Sequence, residues 1–377
     1  MSTQPQDLSP SHAPEILEDL LLRMGRKVQL SEPRHRQATE RYRSIAEFLD
    51  EPGSSLARFR PVIYPQGSLR IGTTVHLKGT DEFDLDAVCE LSIDWTRSAP
   101  VAVLDAVESR LAQSDDYRRM LERKNRCVRL VYANEFHVDV LPAVPDPAAG
   151  GTCVRVPDRD LREWVPSDPI GYADWFESRA KLYMVEKMAM PIPAPEPFET
   201  KPILKVVVQL LKRWRDVRYE TDPDRAPISI VLTTLAGQHY AAEQTTFDAL
   251  SRVVTRVLAS LPRSGRLRVC NPSNSEEDLS ERWDADPSAY DVFVEGMIAL
   301  HDSLGSLRSA RGIRQIKKIL GELFGEKLAE TVINEQARNV EQERQGGRLR
   351  VATISGSLTS VAESGTAPIR RNTFYGD

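Results

Sequence analysis

Two acidic residues on one predicted strand and a third on another are the residues best suited to bind a divalent metal. Residues 83–91 (FDLDAVCEL) begin with alternating apolar and polar side chains, which predicts a β-strand. Because residues two apart on a strand point to the same face, Asp84 and Asp86 would direct two carboxylates to one point. Asp139 lies in a second predicted strand, 136–144 (FHVDVLPAV), and adds a third carboxylate if the two strands are neighbours.

A glycine-containing turn precedes these carboxylates in the chain. Gln66-Gly67-Ser68 offers a backbone that phosphate oxygens can approach closely, with amide and hydroxyl donors, and Arg70 follows as a further phosphate-binding candidate. Clustered carboxylates repel one another, and a hard cation such as Mg²⁺ relieves that repulsion. Two Mg²⁺ ions, for which Mn²⁺ can substitute, would activate a hydroxyl and stabilise a departing pyrophosphate. Each motif alone is common in solvated strands and turns, but together, in this order, they predict nucleotidyl transfer.

The elements that must position these residues form an α+β chain. Helices are predicted at 14–30, 33–50, 100–113, 169–189, 203–219, 227–243, 245–261, 287–303 and 310–339, and further strands at 61–64, 127–133 and 153–157. Residues 69–82 are predicted as a loop or irregular hairpin, and Asn134-Glu135 as a tight turn. The Pro-rich stretch 190–202 is the predicted domain boundary. We therefore expect a strand-and-helix domain (1–195), a helical lobe (196–339) and a flexible polar tail (340–377).

The composition excludes several classes of protein. The 377 residues carry a formal net charge of -5, which argues against a surface that coats duplex nucleic acid. No apolar run is long enough to span a membrane, and the N-terminus is polar, so a cytoplasmic location is expected. The four cysteines form no C-x-x-C pair, which predicts reduced packing thiols and no structural zinc site.

Beyond these patterns, the sequence resembles a known family. YPQGSLRIGTTV (64–75), EFDLDAVCEL (82–91) and HVDVLPAV (137–144) are similar to motifs of the bacterial cGAS/DncV-like nucleotidyltransferases, or CD-NTases, of the DNA polymerase β-like superfamily. The resemblance continues through 164–176, 204–216, 227–240 and 271–283, so it covers about residues 60–300. It implies a mixed catalytic sheet braced by an N-terminal helix and packed on a C-terminal helical lobe.

The resemblance also implies an activity and a biological role. Such enzymes join nucleoside triphosphates, ATP often among them, into cyclic di- or trinucleotides during CBASS antiphage defence, where the product activates a downstream effector. The family's triphosphate lysine and serine correspond best to Lys212 and Ser229, with Lys205 as a second lysine candidate. The alternative role for Ser229 is to cap the helix that begins near Ile230. The candidates for base stacking are Tyr172, Trp175 and Tyr240.

Several questions stay open on the sequence alone. His137 would share a face with Asp139, where a structural hydrogen bond is a simpler role than catalysis. The tail PIRRNTFYGD (368–377) resembles CD-NTase tails that a ubiquitin-transfer-like enzyme conjugates, but it ends in Asp377 after Gly376. A HORMA-type regulator is a second possible partner, and without zinc-finger ligands no duplex-DNA requirement is predicted. The alternative functions are template-independent extension of RNA 3′ ends and a non-catalytic nucleotide- or RNA-binding sensor.

Overall fold

The computed structural model describes residues 13–76, 83–132, 136–180, 197–346, 350–352, 358–359 and 366–368. In these ranges the helices are α1 (Ala13–Val28), α2 (Glu32–Leu49), α3 (Gly67–Arg70), α4 (Pro100–Leu111), α5 (Asp115–Met120), α6 (Pro169–Arg179), α7 (Ile203–Arg218), α8 (Ser229–His239), α9 (Thr246–Ala259), α10 (Arg282–Ala285), α11 (Pro287–Ser309), α12 (Ile313–Phe324) and α13 (Glu326–Gln345). The strands are β1 (Val62–Gln66), β2 (Asp84–Glu90), β3 (Leu121–Arg123), β4 (Val128–Tyr132), β5 (Phe136–Pro145), β6 (Val154–Asp158), β7 (Glu163–Ser167), β8 (Cys270–Asn271), β9 (Asn274–Asp278), β10 (Arg350–Ala352), β11 (Leu358–Thr359) and β12 (Thr366–Pro368).

A seven-stranded mixed sheet forms the first half of the fold. Its order is β1-β2-β5-β4-β3, and β6 joins β5 and carries β7. The β2–β5 pair is parallel and the other pairs of this sheet are antiparallel. Apolar residues of α2, α4 and the sheet strands form one core, in which the Tyr42 hydroxyl donates to the carbonyl of Ile63 at 3.1 Å. The α+β class with a mixed sheet is as the sequence predicted.

The helical half is built around α7. Every residue from Leu204 to Trp214 is buried, because α1, α8, α9 and α12 surround this helix. The same core contains residues of α6 and the α1 residues Leu17, Leu20, Leu21 and Met24. By its packing α1 therefore belongs with the helical half, whereas α2 packs on the sheet. The domain boundary placed at residues 195 and 196 stays a prediction.

Several predicted elements differ in the structure. The Gly67-Ser68 segment begins the short helix α3, where a turn and loop were expected. The single helix predicted for 310–339 is divided at Gly325, whose φ of +101° is left-handed, and α13 continues to Gln345, past the expected start of the tail. Strands β3, β7, β8 and β9 were not predicted, since they are short. Strands β10 to β12, which pair within the predicted tail, were not predicted either.

Parts of other expectations lie outside the described residues: 77–82 of the predicted loop, the Asn134-Glu135 turn, 181–189 of a predicted helix and most of the Pro-rich boundary. The same holds for 347–349, 353–357, 360–365 and 369–377 of the tail. All four cysteines are free thiols, with Cys89 buried and the others half-buried. Among the described helices, none combines the length and apolarity needed to cross a membrane.

Replacing Leu210 by alanine tests how far the fold depends on α7. Leu210 has 0% exposure, so Leu210→Ala should lower the free energy of unfolding by about 2–5 kcal/mol through lost burial and a cavity. Leu161, at 60% exposure, offers the control, and Leu161→Ala should change it by less than about 0.5 kcal/mol. Urea denaturation followed by circular dichroism measures both, and equal effects would contradict a core centred on α7.

Candidate active site

A cavity of about 350 Å³ lies between the sheet and the helical half. Elements from both halves line it, so the site depends on their packing. Its lining includes many of the residues predicted from the sequence as well as others that were not. The lining residues are Gln66, Gly67, Ser68, Ile71, Thr74, Val75, Phe83, Asp84, Asp86, Asp139, Ser167, Pro169, Tyr172, Lys212, Arg215, Asp216, Ser229, Ile230, Thr233, Asn271 and Glu277.

The parallel pairing of β2 and β5 brings the three acidic residues together. In this register Asp86 lies beside Asp139, and Asp84 lies beside His137. Neighbouring residues in register point to the same face, so all three carboxylates face the cavity, whereas Leu85 and Val138 are buried in the sheet core. The strand adjacency that the sequence argument required is therefore present.

Burial and mutual repulsion shift the protonation of this carboxylate cluster. Burial, followed by the charges of Asp84 and Asp139, raises the pKa of Asp86 to about 7. Burial also raises the pKa of Asp84, while the nearby guanidinium of Arg129 opposes that shift. The cluster thus gathers negative charge at the cavity, with Asp84 exposed and Asp86 half-buried, and a bound cation would neutralise it.

Arg129 is a residue of this site that sequence reasoning missed. It lies beside Asp139 on the neighbouring strand β4, and its Nε and Nη2 donate to the two oxygens of Asp139 at 2.7 and 2.8 Å. Arg129 is the one charged residue of CVRLVYA, but the identity of the partner strand was needed to find the contact.

Two independent features require glycine at position 67: its backbone conformation and its contact with Asp86. Its φ of +63° is left-handed, and a methyl group placed on it would lie 2.0 Å from Asp86 Oδ2. The backbone at this turn therefore passes directly against one of the carboxylates. The next side chain, Ser68, holds its Oγ 3.1 Å from Oγ1 of Thr74, so its hydroxyl is fixed at the cavity wall.

Side chains at and just before α7 hold the segment that follows α3. Four of its backbone carbonyls accept a hydrogen bond from this helical segment. In donor-to-acceptor order the bonds are Lys201 Nζ to Gly72 O (2.7 Å), Lys212 Nζ to Thr73 O (3.2 Å), Gln209 Nε2 to Thr74 O (3.1 Å) and Arg213 Nη2 to His76 O (2.9 Å). The sheet and the helical half are thereby joined directly beside the carboxylates.

Two basic residues of α7 and one serine of α8 line the same side of the cavity. Burial lowers the pKa of Lys212 to about 8, while the charge of Asp86 opposes that shift. Arg215 donates from Nη1 to Ser229 Oγ at 3.3 Å and approaches Asp216 Oδ1 at the same distance. Ser229 is the first residue of α8 and its own side chain caps nothing, since the N-cap position is Ile228. Lys212, Arg215 and Ser229 together offer cationic and hydroxyl donors suited to phosphate.

Another part of the lining contains polar groups suited to a nucleobase. Glu277 accepts hydrogen bonds from Asn271 Nδ2 (2.6 Å), Ser167 Oγ (3.0 Å) and the backbone N–H of Asp168 (3.3 Å). Burial raises the pKa of Glu277, and these three donors oppose the shift. Tyr172 is buried beside them and its hydroxyl pairs with Thr234 at 3.0 Å. Arg215, Asn271 and Glu277 were not singled out from the sequence, although the last two lie in the segment 271–283.

Other sequence candidates lie elsewhere in the structure. Lys205, expected at the triphosphate, is buried on α7, where Nζ pairs with Glu177 Oε1 at 3.0 Å, so its charge is used within the helical half. Arg70 extends from α3 toward Asp174 Oδ1, 3.9 Å away. Among the residues described, neither lines the cavity, and the same holds for Trp175, Tyr240 and His137. Trp175 instead contacts Gly237, and Tyr240 packs against the helical core.

The carboxylates fit a hard divalent cation whose remaining ligands are water or substrate oxygens. In the described part of the chain, no group of three His, Cys, Asp or Glu side chains is arranged so that it could hold a metal ion by itself. Asp84, Asp86 and Asp139 nevertheless share one cavity, and their side chains present oxygen donors only. Mg²⁺-type cations commonly take their remaining ligands from substrate phosphates and water.

Substituting Gly67 should show that the backbone contact with Asp86 is specific. Gly53 has a similar φ of +83° but no atom near its missing side chain, so Gly53→Ala reports the cost of left-handed backbone alone, about 1–2 kcal/mol. Gly67→Ala adds the overlap with Asp86 and should lower the free energy of unfolding further. Denaturant titrations of both variants provide the comparison; equal losses would mean that the methyl group is accommodated.

Comparisons with known proteins agree with this geometry. Residues 17–179 match the Second Messenger Oligonucleotide or Dinucleotide Synthetase (SMODS) domain. A Roseivirga ehrenbergii protein named c-di-GMP synthase is 30% identical over 98% of this chain and 100% of its own length. The structure of the Bradyrhizobium diazoefficiens CD-NTase CdnG in complex with GTP superposes with a TM-score of 0.71 at 25% identity, covering 85% of this chain and 99% of that one. An Escherichia coli MS115-1 CdnC in a HORMA complex gives a TM-score of 0.61 at 12% identity, covering 82% and 96%, which shows a shared fold.

The full-length similarity at 30% identity, the matched domain and the cavity with its three carboxylates lead to one assignment. This chain belongs to the bacterial CD-NTase family and is a nucleotidyltransferase.

Proposed function

We propose that this enzyme condenses two molecules of GTP into cyclic di-GMP and releases two pyrophosphates. The observation that carries the chemistry is the register of β2 and β5, which sets Asp86 beside Asp139 at the turn of Gly67. The choice of GTP is supported by the relative named c-di-GMP synthase, which aligns over nearly the whole of this chain. The GTP-bound structure of CdnG supports the same substrate class.

In this proposal the metal ions are Mg²⁺, with Mn²⁺ as a substitute, held by Asp84, Asp86 and Asp139. When bound, Mg²⁺ lowers the pKa of an attacking ribose hydroxyl and stabilises the charge of a departing pyrophosphate. Lys212, Arg215 and Ser229 bind the triphosphate from the opposite wall, and Gly67-Ser68 offers backbone and hydroxyl donors. The chain thus holds the α-phosphate between carboxylates on one side and cationic side chains on the other, so its contribution is positioning.

Recognition of the base is assigned to the part of the cavity around Glu277. An ionised carboxylate only accepts hydrogen bonds, so it favours a base edge with two adjacent N–H donors, as guanine has at N1 and N2. Asn271 Nδ2 and Ser167 Oγ already orient the two oxygens of Glu277. Adenine presents an acceptor at N1 and should bind there less well.

Incubating the purified protein with each NTP and Mg²⁺ tests the reaction. GTP alone should give a phosphatase-resistant product with the mass of cyclic di-GMP. Asp84→Asn and Asp139→Asn should each reduce its rate at least about 100-fold, more than the loss of an outer-shell partner typically costs. Asp302→Asn, at an exposed surface position, is the control and should leave the rate unchanged. A product ladder on a labelled RNA primer, or biological activity that survives both site variants, would contradict the proposal.

Glu277→Gln tests base choice separately from chemistry. The amide replaces one acceptor with a donor and should lower kcat/KM for GTP by about 10–100-fold, since one hydrogen bond to a charged group is lost. The rate with ATP should change less or rise. Competition assays with mixed GTP and ATP, read by mass spectrometry, measure the ratio. An unchanged ratio in a folded variant would place base recognition elsewhere.

The wider role remains part of the proposal. We place the enzyme in the cytoplasm, where its triphosphate substrates are, and in CBASS antiphage defence, where its product would activate an effector. HORMA-type and ubiquitin-transfer-like regulators are the candidate partners that the family resemblance suggests.

A further inference from the structure

The ion pair between Arg129 and Asp139 differs from a surface ion pair in its burial and in its two hydrogen bonds. Both side chains are largely buried, at 24% and 17% exposure, and the guanidinium fork meets both carboxylate oxygens. The two residues are also directly opposite one another on β4 and β5, so the backbone register fixes the contact. Such bidentate pairs combine charge with orientation.

Arg129 has a second carboxylate in register on its other side. Glu122 on β3 lies opposite it, but the Oε2 atom of Glu122 pairs with Lys124 Nζ at 3.0 Å. Lys124 thus gives Glu122 a cation of its own, and the guanidinium of Arg129 is directed to Asp139. The arrangement therefore places one positive charge at the edge of a cluster that holds three negative ones.

The hydrogen bonds from Arg129 do not occupy all the lone pairs of the Asp139 carboxylate. A carboxylate offers about four lone-pair positions, and the guanidinium takes one on each oxygen. The Cys127 thiol also hydrogen-bonds to Asp139, so about one lone-pair position stays available for a cation in the cavity. Arg129 can therefore hold the orientation of Asp139 both before and after a metal binds.

We propose that Arg129 is the positioning residue of the third carboxylate and that its charge substitutes for the missing cation in the metal-free enzyme. This inference rests on the proposed function, because it takes Asp139 as a metal ligand. The inference has two separable parts. The charge of Arg129 stabilises the fold when no metal is bound, and its bidentate guanidinium contact orients the Asp139 side chain for catalysis. Removal of the Arg129 charge should lower the stability of the fold most when no metal is present.

Melting temperatures in EDTA and in Mn²⁺, without nucleotide, test the charge. Mn²⁺ binds such oxygen sites like Mg²⁺, generally more tightly. Arg129→Met should lower Tm by at least about 3 °C in EDTA, and Mn²⁺ should restore most of that loss. Arg129→Lys, which keeps the charge, should stay close to wild type in EDTA. In an Asp139→Asn background the effect of Arg129→Met should shrink, as expected for two groups that interact.

Arg155→Met is the matched control. Arg155 Nε donates to Asp146 Oδ2 at 2.7 Å with 18% exposure, a similar pair away from the three carboxylates. Its loss of Tm should be the same in EDTA and in Mn²⁺. If Arg129→Met behaves in this way, or Arg129→Lys melts like Arg129→Met, the inference is overturned. A wild-type Tm that does not respond to Mn²⁺ overturns the metal site together with the inference, whereas product formation tests the proposed function independently.

Turnover of Arg129→Lys tests the fork. A lysine cannot hold two oxygens in a plane, so kcat for the condensation should fall about 10–100-fold. KM for GTP should change less than about threefold, because Asp139 is not in the triphosphate-binding wall. Wild-type kcat in this variant would show that orientation by a fork is not needed.

Discussion

The parallel pairing of β2 with β5 is the interaction on which the rest of the site depends. A shift of one residue in this register would turn Asp139 to the opposite face and leave Asp84 and Asp86 without a third carboxylate. The register is fixed because Leu85 and Val138 must enter the sheet core when the acidic residues face the cavity. Apolar burial on one face therefore stabilises an arrangement of like charges on the other that would otherwise be unfavourable.

The repulsion among the three carboxylates is reflected in shifted pKa values and in the cations placed around them. Burial raises the pKa of Asp86 to about 7, and cations from two directions oppose the repulsion: Arg129 from the sheet and Lys212 from α7. Lys212 is itself buried, with its pKa lowered to about 8. Burial of each of these charged groups alone is unfavourable. Together they make a site in which bound metal ions and nucleotide phosphates complete the balance of charge.

The sequence predicted the site residues best where the periodicity of hydrophobic residues determines which way a side chain points. Alternation in 83–91 was sufficient to place Asp84 and Asp86 on one face, and the helical period found α7 and α8. Asp139 joined them only because β5 pairs with β2, which the sequence left open. The fold class followed from the same patterns. Arg129 and Glu277 could not be found in this way, because their roles depend on which strands are neighbours and on a short polar hairpin without hydrophobic periodicity. Lys205 was misplaced because two helical turns bring a residue to the same side but not to the same cavity.

The bonds from the α7 region to the segment 72–76 have a consequence for protein engineering. Gln209, Lys212 and Arg213 belong to the buried core of the helical half and also hold the backbone beside the carboxylates. Libraries randomised along this helix would therefore yield mostly misfolded clones. The β8–β9 hairpin, a separate two-stranded unit, contributes Asn271 and Glu277 to the cavity. Altered substrate preference is better sought in that hairpin, where change can accumulate without loss of the scaffold.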